Sequence, residues 1–124
     1  MEQWQTELRL RFRGVPWKLR VGFSFEWKAW LIAYDYQQTT PGEFGKLDME
    51  SQISAIIYGA ACWDRIKKRK KIFFSAVDLE GALMRASKAE NLMLIAAMRY
   101  AQFPDWLQAG MPPGGEDKKK VNSP

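Results

Sequence analysis

The sequence predicts an α+β fold in which an N-terminal β-hairpin packs on a bundle of about four α-helices. Two observations carry this prediction. Apolar and polar residues alternate along residues 6–25, with the period of two that is typical of strands. After residue 25 the apolar residues recur at intervals of three and four, as in helices with one buried face. We expect a single globular domain over residues 1–107, followed by a flexible tail over 108–124 that is rich in proline, glycine and charge.

The hairpin is predicted over residues 6–25, with its turn at Gly14-Val15-Pro16, where glycine and proline interrupt the alternation. The predicted apolar face consists of Leu8, Leu10, Phe12, Trp17, Leu19, Val21, Phe23 and Phe25. The opposite face carries five basic residues, namely Arg9, Arg11, Arg13, Lys18 and Arg20. This basic row is either a solvated face that discourages pairing between strand edges or a docking face for an acidic protein or a nucleic acid.

Four helices are predicted after the hairpin, at about residues 26–38, 48–70, 76–86 and 88–102. In the first helix, Trp27, Trp30, Leu31 and Tyr34 have the i, i+3, i+4, i+7 spacing that would place them over the apolar face of the hairpin. This helix is expected to end before Pro41, because proline disfavours helical geometry in the preceding residue. A loop is then expected as far as about Leu47.

The second predicted helix is the longest and begins with a capping residue, Asp48. Its apolar stripe consists of Ile53, Ile56, Ile57, Ala60 and Ala61. It ends in a basic run, which contains Arg65, Lys67, Lys68, Arg69, Lys70 and Lys71. Cations interact favourably with the exposed carbonyl groups at a helix C-terminus, so a solvated helix end explains the run without any ligand. A patch that binds an acidic partner is the alternative.

The last two helices begin with capping-box patterns, S-A-V-D from Ser75 and S-K-A-E from Ser87. The first of them is expected to bury Leu79 and Leu83, together with Val77 and Ala82. The second is apolar nearly all round between residues 92 and 98. Such a helix is either buried centrally or contacts a partner on its outer side. Because methionine adapts to varied surfaces, Met93 and Met98 are candidate partner contacts, with core filling as the alternative.

The composition excludes several kinds of active site. The chain has no histidine, which removes Ser-His-Asp and Cys-His nucleophiles and the commonest transition-metal ligand. Its single cysteine, Cys62, lies in the apolar half of a predicted helix, where a small buried side chain is expected. No acidic motif for Mg²⁺ or Ca²⁺ is present, and no local spacing brings two carboxylates together. We therefore expect a protein that is not an enzyme and has no metal or cofactor.

The location and partners are constrained by charge and hydropathy. The apolar runs are shorter than the roughly 20 residues of a membrane span, and the N-terminus lacks a signal-peptide core, so a cytoplasmic protein is expected. The net charge of +5 is explained either by solubility or by an acidic partner. A nucleic-acid-binding protein would use the basic residues against phosphates. The aromatic residues fall on apolar faces, however, whereas a base-stacking surface needs them interleaved with the basic ones.

The order of elements resembles that of the tail assembly chaperones of long-tailed bacteriophages. The likeness is carried by residues 19–34, 52–63 and 74–100, which comprise the second strand with the aromatic helix, the isoleucine-rich helix, and a closing pair joined through F-S-x-x-D-L. The resemblance implies a small, non-catalytic cytoplasmic protein of the host cell that self-associates and is absent from the mature virion. Such a protein binds the helical, aggregation-prone tape-measure protein and helps tail-tube subunits to polymerise around it.

The resemblance further implies two forms of the protein, the longer arising by a −1 ribosomal frameshift near the end of the shorter form's gene. Three consecutive lysines at 118–120 are compatible with a slippery heptamer in the message. A solubilising lysine triplet in a tail is an equal alternative, and the codons decide between them.

Overall fold

The computed structural model describes residues 4–102, and the predicted flexible tail at 108–124 lies outside the described residues. An antiparallel β-hairpin at the N-terminus packs with five helices, which confirms the predicted α+β class. The elements are β1 Gln5–Arg11, β2 Lys18–Ser24, α1 Trp27–Tyr36, α2 Pro41–Phe44, α3 Met49–Lys67, α4 Ala76–Met84 and α5 Lys88–Gln102. Within residues 4–102, none of the helices is both long and apolar enough to cross a membrane.

The hairpin has the predicted alternation. Residues that lie opposite each other in the two strands point to the same face. Leu8 pairs with Val21 and Leu10 with Leu19, and Gly14 provides the turn with a φ of 81°. The buried apolar residues of this face are Leu8, Leu10, Phe12, Val21, Phe23 and Phe25. Trp17 was predicted to join them but is 60% exposed. It lies just before the first residue of β2, outside the paired part of the hairpin.

Helix α3 occupies the centre of the fold, where it packs against both α1 and β2. The prediction that Trp27 and Leu31 cover the hairpin is wrong, since these side chains are 47% and 46% exposed. The fully buried residues of α1 are Ala29 and Ala33 instead. They lie against Gly59 of α3, where an added Cβ would come within 2.3 Å of the Ala29 carbonyl oxygen. The two helix backbones approach closely at this point, and only small side chains fit between them.

A short helix, α2, stands where only a loop was predicted. The Thr40 side chain caps it by accepting a 3.2 Å hydrogen bond from the backbone N–H of Glu43, and Pro41 occupies its first turn. Both features are typical helix starts. Its buried Phe44 packs edge-on against Tyr34 of α1, with ring centroids 5.1 Å apart. The predicted loop was wrong because Pro41, which was expected only to limit α1, begins the next helix.

Helix α3 begins as predicted, with the Asp48 carboxylate accepting a 3.0 Å hydrogen bond from the Ser51 N–H, but it ends three residues before the predicted limit. Arg69 adopts a left-handed backbone conformation with a φ of 58°. The N–H groups of Arg69 and Lys70 then donate to the carbonyl oxygens of Ile66 and Arg65. These are the hydrogen bonds of a Schellman motif, which closes the helix without the usual glycine.

Both predicted capping boxes are present. At the start of α4, the N–H of Asp78 donates to Ser75 Oγ and the N–H of Ser75 donates to Asp78 Oδ2, each at 3.1 Å. At the start of α5, Ser87 and Glu90 make the equivalent pair of hydrogen bonds, also at 3.1 Å. Hydrogen bonding from the Ser87 backbone lowers the pKa of the Glu90 carboxyl. The two closing helices are thus separated by a short, well-defined connection.

Candidate interaction surfaces

The outer face of the hairpin carries a row of exposed basic side chains, as predicted. The strand register places Arg9 directly opposite Arg20 and Arg11 opposite Lys18. Like charges in such positions destabilise an antiparallel pair. Arg20 relieves part of this repulsion through an ion pair with Glu7, whereas Arg9 and Arg11 form no side-chain ion pair among residues 4–102. The row therefore keeps a positive potential that an acidic partner would offset.

The end of α4 joins this row at Arg85, which no pattern in the sequence singles out. Its Nε and Nη2 donate hydrogen bonds to the Arg11 carbonyl oxygen at 3.2 and 2.9 Å. Its Nη1 lies beside Gly81, 3.5 Å from where a Cβ would be. A cavity of about 190 Å³ is lined here by Arg13, Val77, Asp78, Gly81 and Arg85. Arg13 of the predicted basic row is thus brought next to an arginine from a distant part of the chain.

Three members of the predicted basic run are used inside the fold. Arg65 donates from Nε to the Lys71 carbonyl oxygen at 2.7 Å and places its guanidinium 4.8 Å from the ring centroid of Phe73. Lys67 forms an ion pair with Glu26, and both side chains are about three-quarters buried. Lys68 lies 3.0 Å from a carboxylate oxygen of Asp64, one turn earlier on α3. These three cations are explained by intramolecular partners.

The other three members of the run, Arg69, Lys70 and Lys71, are exposed and form no side-chain ion pair within the described residues. They follow the last turn of α3, just beyond the helix end that the basic run was expected to occupy. The physical reason is the Schellman motif at Arg69, which turns the chain away from the helix axis. These three side chains are therefore better placed to meet an external anion than the helical members of the run.

Among residues 4–102, the most buried charged side chain is that of Asp64, which lies between α3 and β2. It accepts a 2.7 Å hydrogen bond from Ser24 Oγ, in addition to its contact with Lys68. Gly22 faces it directly, since a Cβ on that glycine would come within 2.3 Å of Asp64 Oδ2. Its contacts with Ser24 and Gly22 join the hairpin to α3, so we interpret this group as structural.

A second polar cluster joins the start of α1 to the end of α3. The indole Nε1 of Trp63 donates a 3.0 Å hydrogen bond to Glu26 Oε1, whose other oxygen pairs with Lys67. The Lys67 ammonium lies 5.8 Å from the ring centroid of Trp4, and Lys28 lies 5.0 Å from that of Trp63. Cations at such distances are attracted to the ring faces. Lys67, a predicted partner-binding residue, is thus fixed within this cluster.

Helix α5 has one buried side and one exposed apolar side. Leu94, Ala97, Met98 and Ala101 face the core. Met98 was a predicted partner contact, but it is only 5% exposed, so its side chain fills the core instead. The outer side presents Leu92, Met93, Ile95 and Tyr100, which are all exposed. Of the two predicted methionines, only Met93 lies on a surface that a partner can reach.

Helix α4 also exposes apolar side chains, among them Val77, which was predicted to be buried. Val77 is 74% exposed, and Met84, one residue before the end-cap Arg85, is 86% exposed. Between α1, α3 and α4 lies a mostly apolar cavity of about 80 Å³. It is lined by Tyr36, Ser54, Ile57, Tyr58, Ala76, Val77, Leu79, Glu80 and Leu83. Sites for drug-sized ligands are about 300–1,000 Å³, so this cavity suits a side chain of a partner better than a free small molecule.

The thiol and phenol groups next to this cavity are held in their neutral forms. Burial, together with a hydrogen bond to Cys62, raises the pKa of Tyr58 to about 12. Burial also raises the pKa of the Cys62 thiol, whose side chain lies in the core. A thiol is a nucleophile only as the thiolate. Neither group is therefore activated for chemistry, and residues 4–102 contain no cluster of three metal-ligating side chains.

Comparisons with models of protein families, with curated proteins and with solved structures find no match to this chain. A function must therefore be argued from the surfaces described above.

Proposed function

We propose that the protein is a non-enzymatic tail assembly chaperone of a long-tailed bacteriophage. It binds the tape-measure protein, assists the polymerisation of tail-tube subunits around it, and self-associates. The observation that carries this proposal is the exposed apolar side of α5, formed by Leu92, Met93, Ile95 and Tyr100. A contiguous apolar surface on a small protein marks a site for a partner.

The geometry of α5 suits a helical client. Leu92 and Ile95 are three residues apart, while Met93 and Tyr100 are separated by seven, so these side chains form neighbouring rows along one side of the helix. An amphipathic helix recognises such a surface through its own apolar residues at similar spacing. Met93 adds a contact that adapts to different neighbours, as is useful for a long and repetitive client.

The charge next to this surface supports the same kind of client. Lys88 and Arg99 are exposed on α5 and, by helical spacing, border the row that contains Leu92. They favour a client helix whose apolar stripe is flanked by acidic residues, and they keep the unbound surface soluble. Because exposed charges are screened by salt, the affinity for the client is expected to fall as ionic strength rises.

The direct test is co-expression of the tagged chain with the tape-measure protein of the same phage, followed by affinity capture. We expect the wild type to recover the tape-measure protein, and the double variant Leu92→Gln, Ile95→Gln to recover about tenfold less, because buried apolar anchors dominate such interfaces. Met49→Gln removes an exposed methionine on α3 and serves as the matched control. Failure of the folded wild type to capture the tape-measure protein would reject the proposal.

The proposed function also fixes where the protein is found. It belongs in the cytoplasm of the infected host cell and is absent from the mature virion, and a longer form made by a −1 frameshift accompanies it. Mass spectrometry of infected-cell lysate and of purified virions tests all three statements. Peptides of this chain in virions at the abundance of a tail subunit would contradict the chaperone role.

Nucleic-acid binding is a second candidate, favoured by one feature of the hairpin. The exposed indole of Trp17 stands between Arg13 and Lys18 in the chain, so an aromatic ring lies among basic side chains after all. Stacking on such a ring stabilises single-stranded nucleic acid by roughly 1–3 kcal/mol per base. A gel-shift titration at low and high salt tests this candidate, with Trp27→Ala as the control for Trp17→Ala. No retardation at low salt would exclude it, because phosphate contacts strengthen as salt falls.

A further inference from the structure

The exposed side of α4 joins an apolar cavity to a positioned arginine. Val77 lines the 80 Å³ cavity on one side and the 190 Å³ cavity on the other, so it forms the ridge between them. Gly81 follows one turn later and Met84 two turns later, on the same side of the helix. Since glycine has no side chain, the ridge is lowest at Gly81. We call this region, with the two cavities that flank it, the α4 surface.

The arginine of the α4 surface is held in place before any partner binds. Two of the guanidinium nitrogens of Arg85 donate to the Arg11 carbonyl oxygen, which leaves Nη1 beside Gly81. Neither Arg85 nor Arg13 has a carboxylate within ion-pair distance among residues 4–102. The one carboxylate in the cavity lining, Asp78, already accepts a hydrogen bond from the Ser75 N–H in its capping box. The lining thus carries two cations and one anion.

This combination determines the chemistry of the partner. A guanidinium with free donors is well matched to a carboxylate, and a fixed guanidinium loses less entropy when that bond forms. The apolar cavity across the Val77 ridge is suited to an apolar side chain. Both groups can be presented together by one face of an amphipathic helix, in which residues three or four positions apart are neighbours.

We propose that the α4 surface binds an amphipathic helical segment of a protein partner, with a carboxylate on Arg85 and an apolar side chain in the cavity beside Val77. This inference rests on the proposed function in taking the tape-measure protein as the source of the segment. It adds the chemistry that selects which part of that long client is bound. It also assigns a role to Arg85, Val77 and Met84, which lie outside the α5 surface.

The test uses overlapping synthetic peptides of about seven helical turns that span the tape-measure protein of the same phage. Fluorescence anisotropy measures their binding to the full-length chain. We expect the tightest peptides to carry an acidic residue three or four positions from a large apolar one. Arg85→Gln is expected to weaken those peptides by about tenfold, and Lys46→Gln, which alters an exposed lysine elsewhere, by less than about twofold.

A double-mutant cycle identifies the carboxylate contact itself. Replacing the peptide's acidic residue by its amide is expected to weaken binding to the wild type by about tenfold and to have little further effect on Arg85→Gln. Val77→Gln provides a second variant that does not depend on the Arg85 hydrogen bonds, and its exposed position makes loss of folding unexpected. It is expected to weaken the same peptides because it places an amide next to the apolar cavity.

The outcomes separate this inference from the proposed function. If neither the peptides nor the full tape-measure protein binds the folded wild type, the proposed function fails and this inference fails with it. If peptides bind equally to the wild type, Arg85→Gln and Val77→Gln, the function stands and the α4 surface is overturned as the site. The inference is also overturned if Arg85→Gln weakens a single-stranded oligouridine probe and leaves the peptides unaffected, since the anion recognised would then be phosphate.

Discussion

The hydroxyl of Ser24 on β2 donates a 2.7 Å hydrogen bond to the carboxylate of Asp64 on α3, and both residues are buried. This contact joins two elements that are 40 residues apart in the chain. The carboxylate is also balanced by Lys68, at 3.0 Å. A buried charge is tolerated only when it is paired and hydrogen-bonded. The hydrogen bond from Ser24 and the ion pair with Lys68 together meet this requirement for the Asp64 carboxylate.

Asp64→Ala is therefore expected to lower the free energy of unfolding by about 2–4 kcal/mol, because it leaves the buried Ser24 hydroxyl without its acceptor and removes the partner of Lys68. Urea unfolding followed by circular dichroism measures the change. The control is Glu43→Ala, which breaks an exposed ion pair with Lys46 and should cost less than about 0.5 kcal/mol. Equal costs for the two variants would show that Asp64 is not a joint between the hairpin and α3.

The packing of α1 on α3 depends on Gly59. Gly59→Ala would place a Cβ 2.3 Å from the Ala29 carbonyl oxygen and 3.3 Å from the Ala33 nitrogen, so the two backbones must separate. Overpacking of this kind costs about 1–3 kcal/mol, of which up to about 1 kcal/mol is offset by the better helix propensity of alanine. We expect a net loss of about 1–2 kcal/mol by urea unfolding. Gly42→Ala is the control, since its Cβ would meet no atom within 4 Å, and a loss of similar size there would contradict the argument.

The elements that could be predicted from the sequence are those specified by local patterns. The alternation in the hairpin and the capping residues Asp48, Ser75 and Ser87 were sufficient to locate β1, β2 and the starts of three helices. The buried side of α1 was mispredicted because it is determined by Gly59, a residue that is distant in sequence. Large aromatic side chains usually indicate a core, but a close helix contact buries Ala29 and Ala33 instead.

The candidate surfaces were predictable to different degrees, because some depend on local patterns and others on contacts between residues that are distant in sequence. The all-round apolar pattern of α5 left a central and a partner-contacting position open, whereas the alternation of β1 indicated the basic row. Arg85 could not be selected, because its position depends on a carbonyl group 74 residues earlier in the chain. Likewise, nothing local distinguishes Lys67, which is held by Glu26 and Trp4, from Lys70, which is exposed.

The end of α1 offers a stabilising substitution. Gln38 has a φ of 52°, and the N–H groups of Gln38 and Thr39 donate to the carbonyl oxygens of Asp35 and Tyr34, as in a Schellman motif. The left-handed conformation costs a non-glycine residue roughly 1–2 kcal/mol in the folded protein. Glycine avoids this cost, but part of the gain is offset because glycine also gives the unfolded chain more conformational freedom. Gln38→Gly is thus expected to raise the melting temperature, with a gain of about 0.5–1 kcal/mol.

The neighbouring residue provides the matched control for this substitution. Gln37 has a helical backbone, with a φ of −84°, so Gln37→Gly gains nothing from glycine's conformational freedom and should lose about 0.5–1 kcal/mol. Changes of opposite sign in the free energy of unfolding at these two adjacent positions distinguish a conformational effect from a change in side-chain contacts. Destabilisation by both variants would contradict the left-handed assignment at Gln38.

The partly buried phenol of Tyr58 predicts how stability changes in alkaline solution. Burial and the hydrogen bond to Cys62 raise its pKa to about 12, whereas a tyrosine in the unfolded chain titrates near about 10. Between these two values the folded protein retains a proton that the unfolded chain releases, so stability must fall as the pH rises from about 10 to about 12. Urea unfolding at a series of alkaline pH values should therefore show a shallower decline for Tyr58→Phe than for the wild type. Tyr100→Phe, which alters an exposed phenol, should decline like the wild type, and equal slopes for all three proteins would refute the assignment to Tyr58.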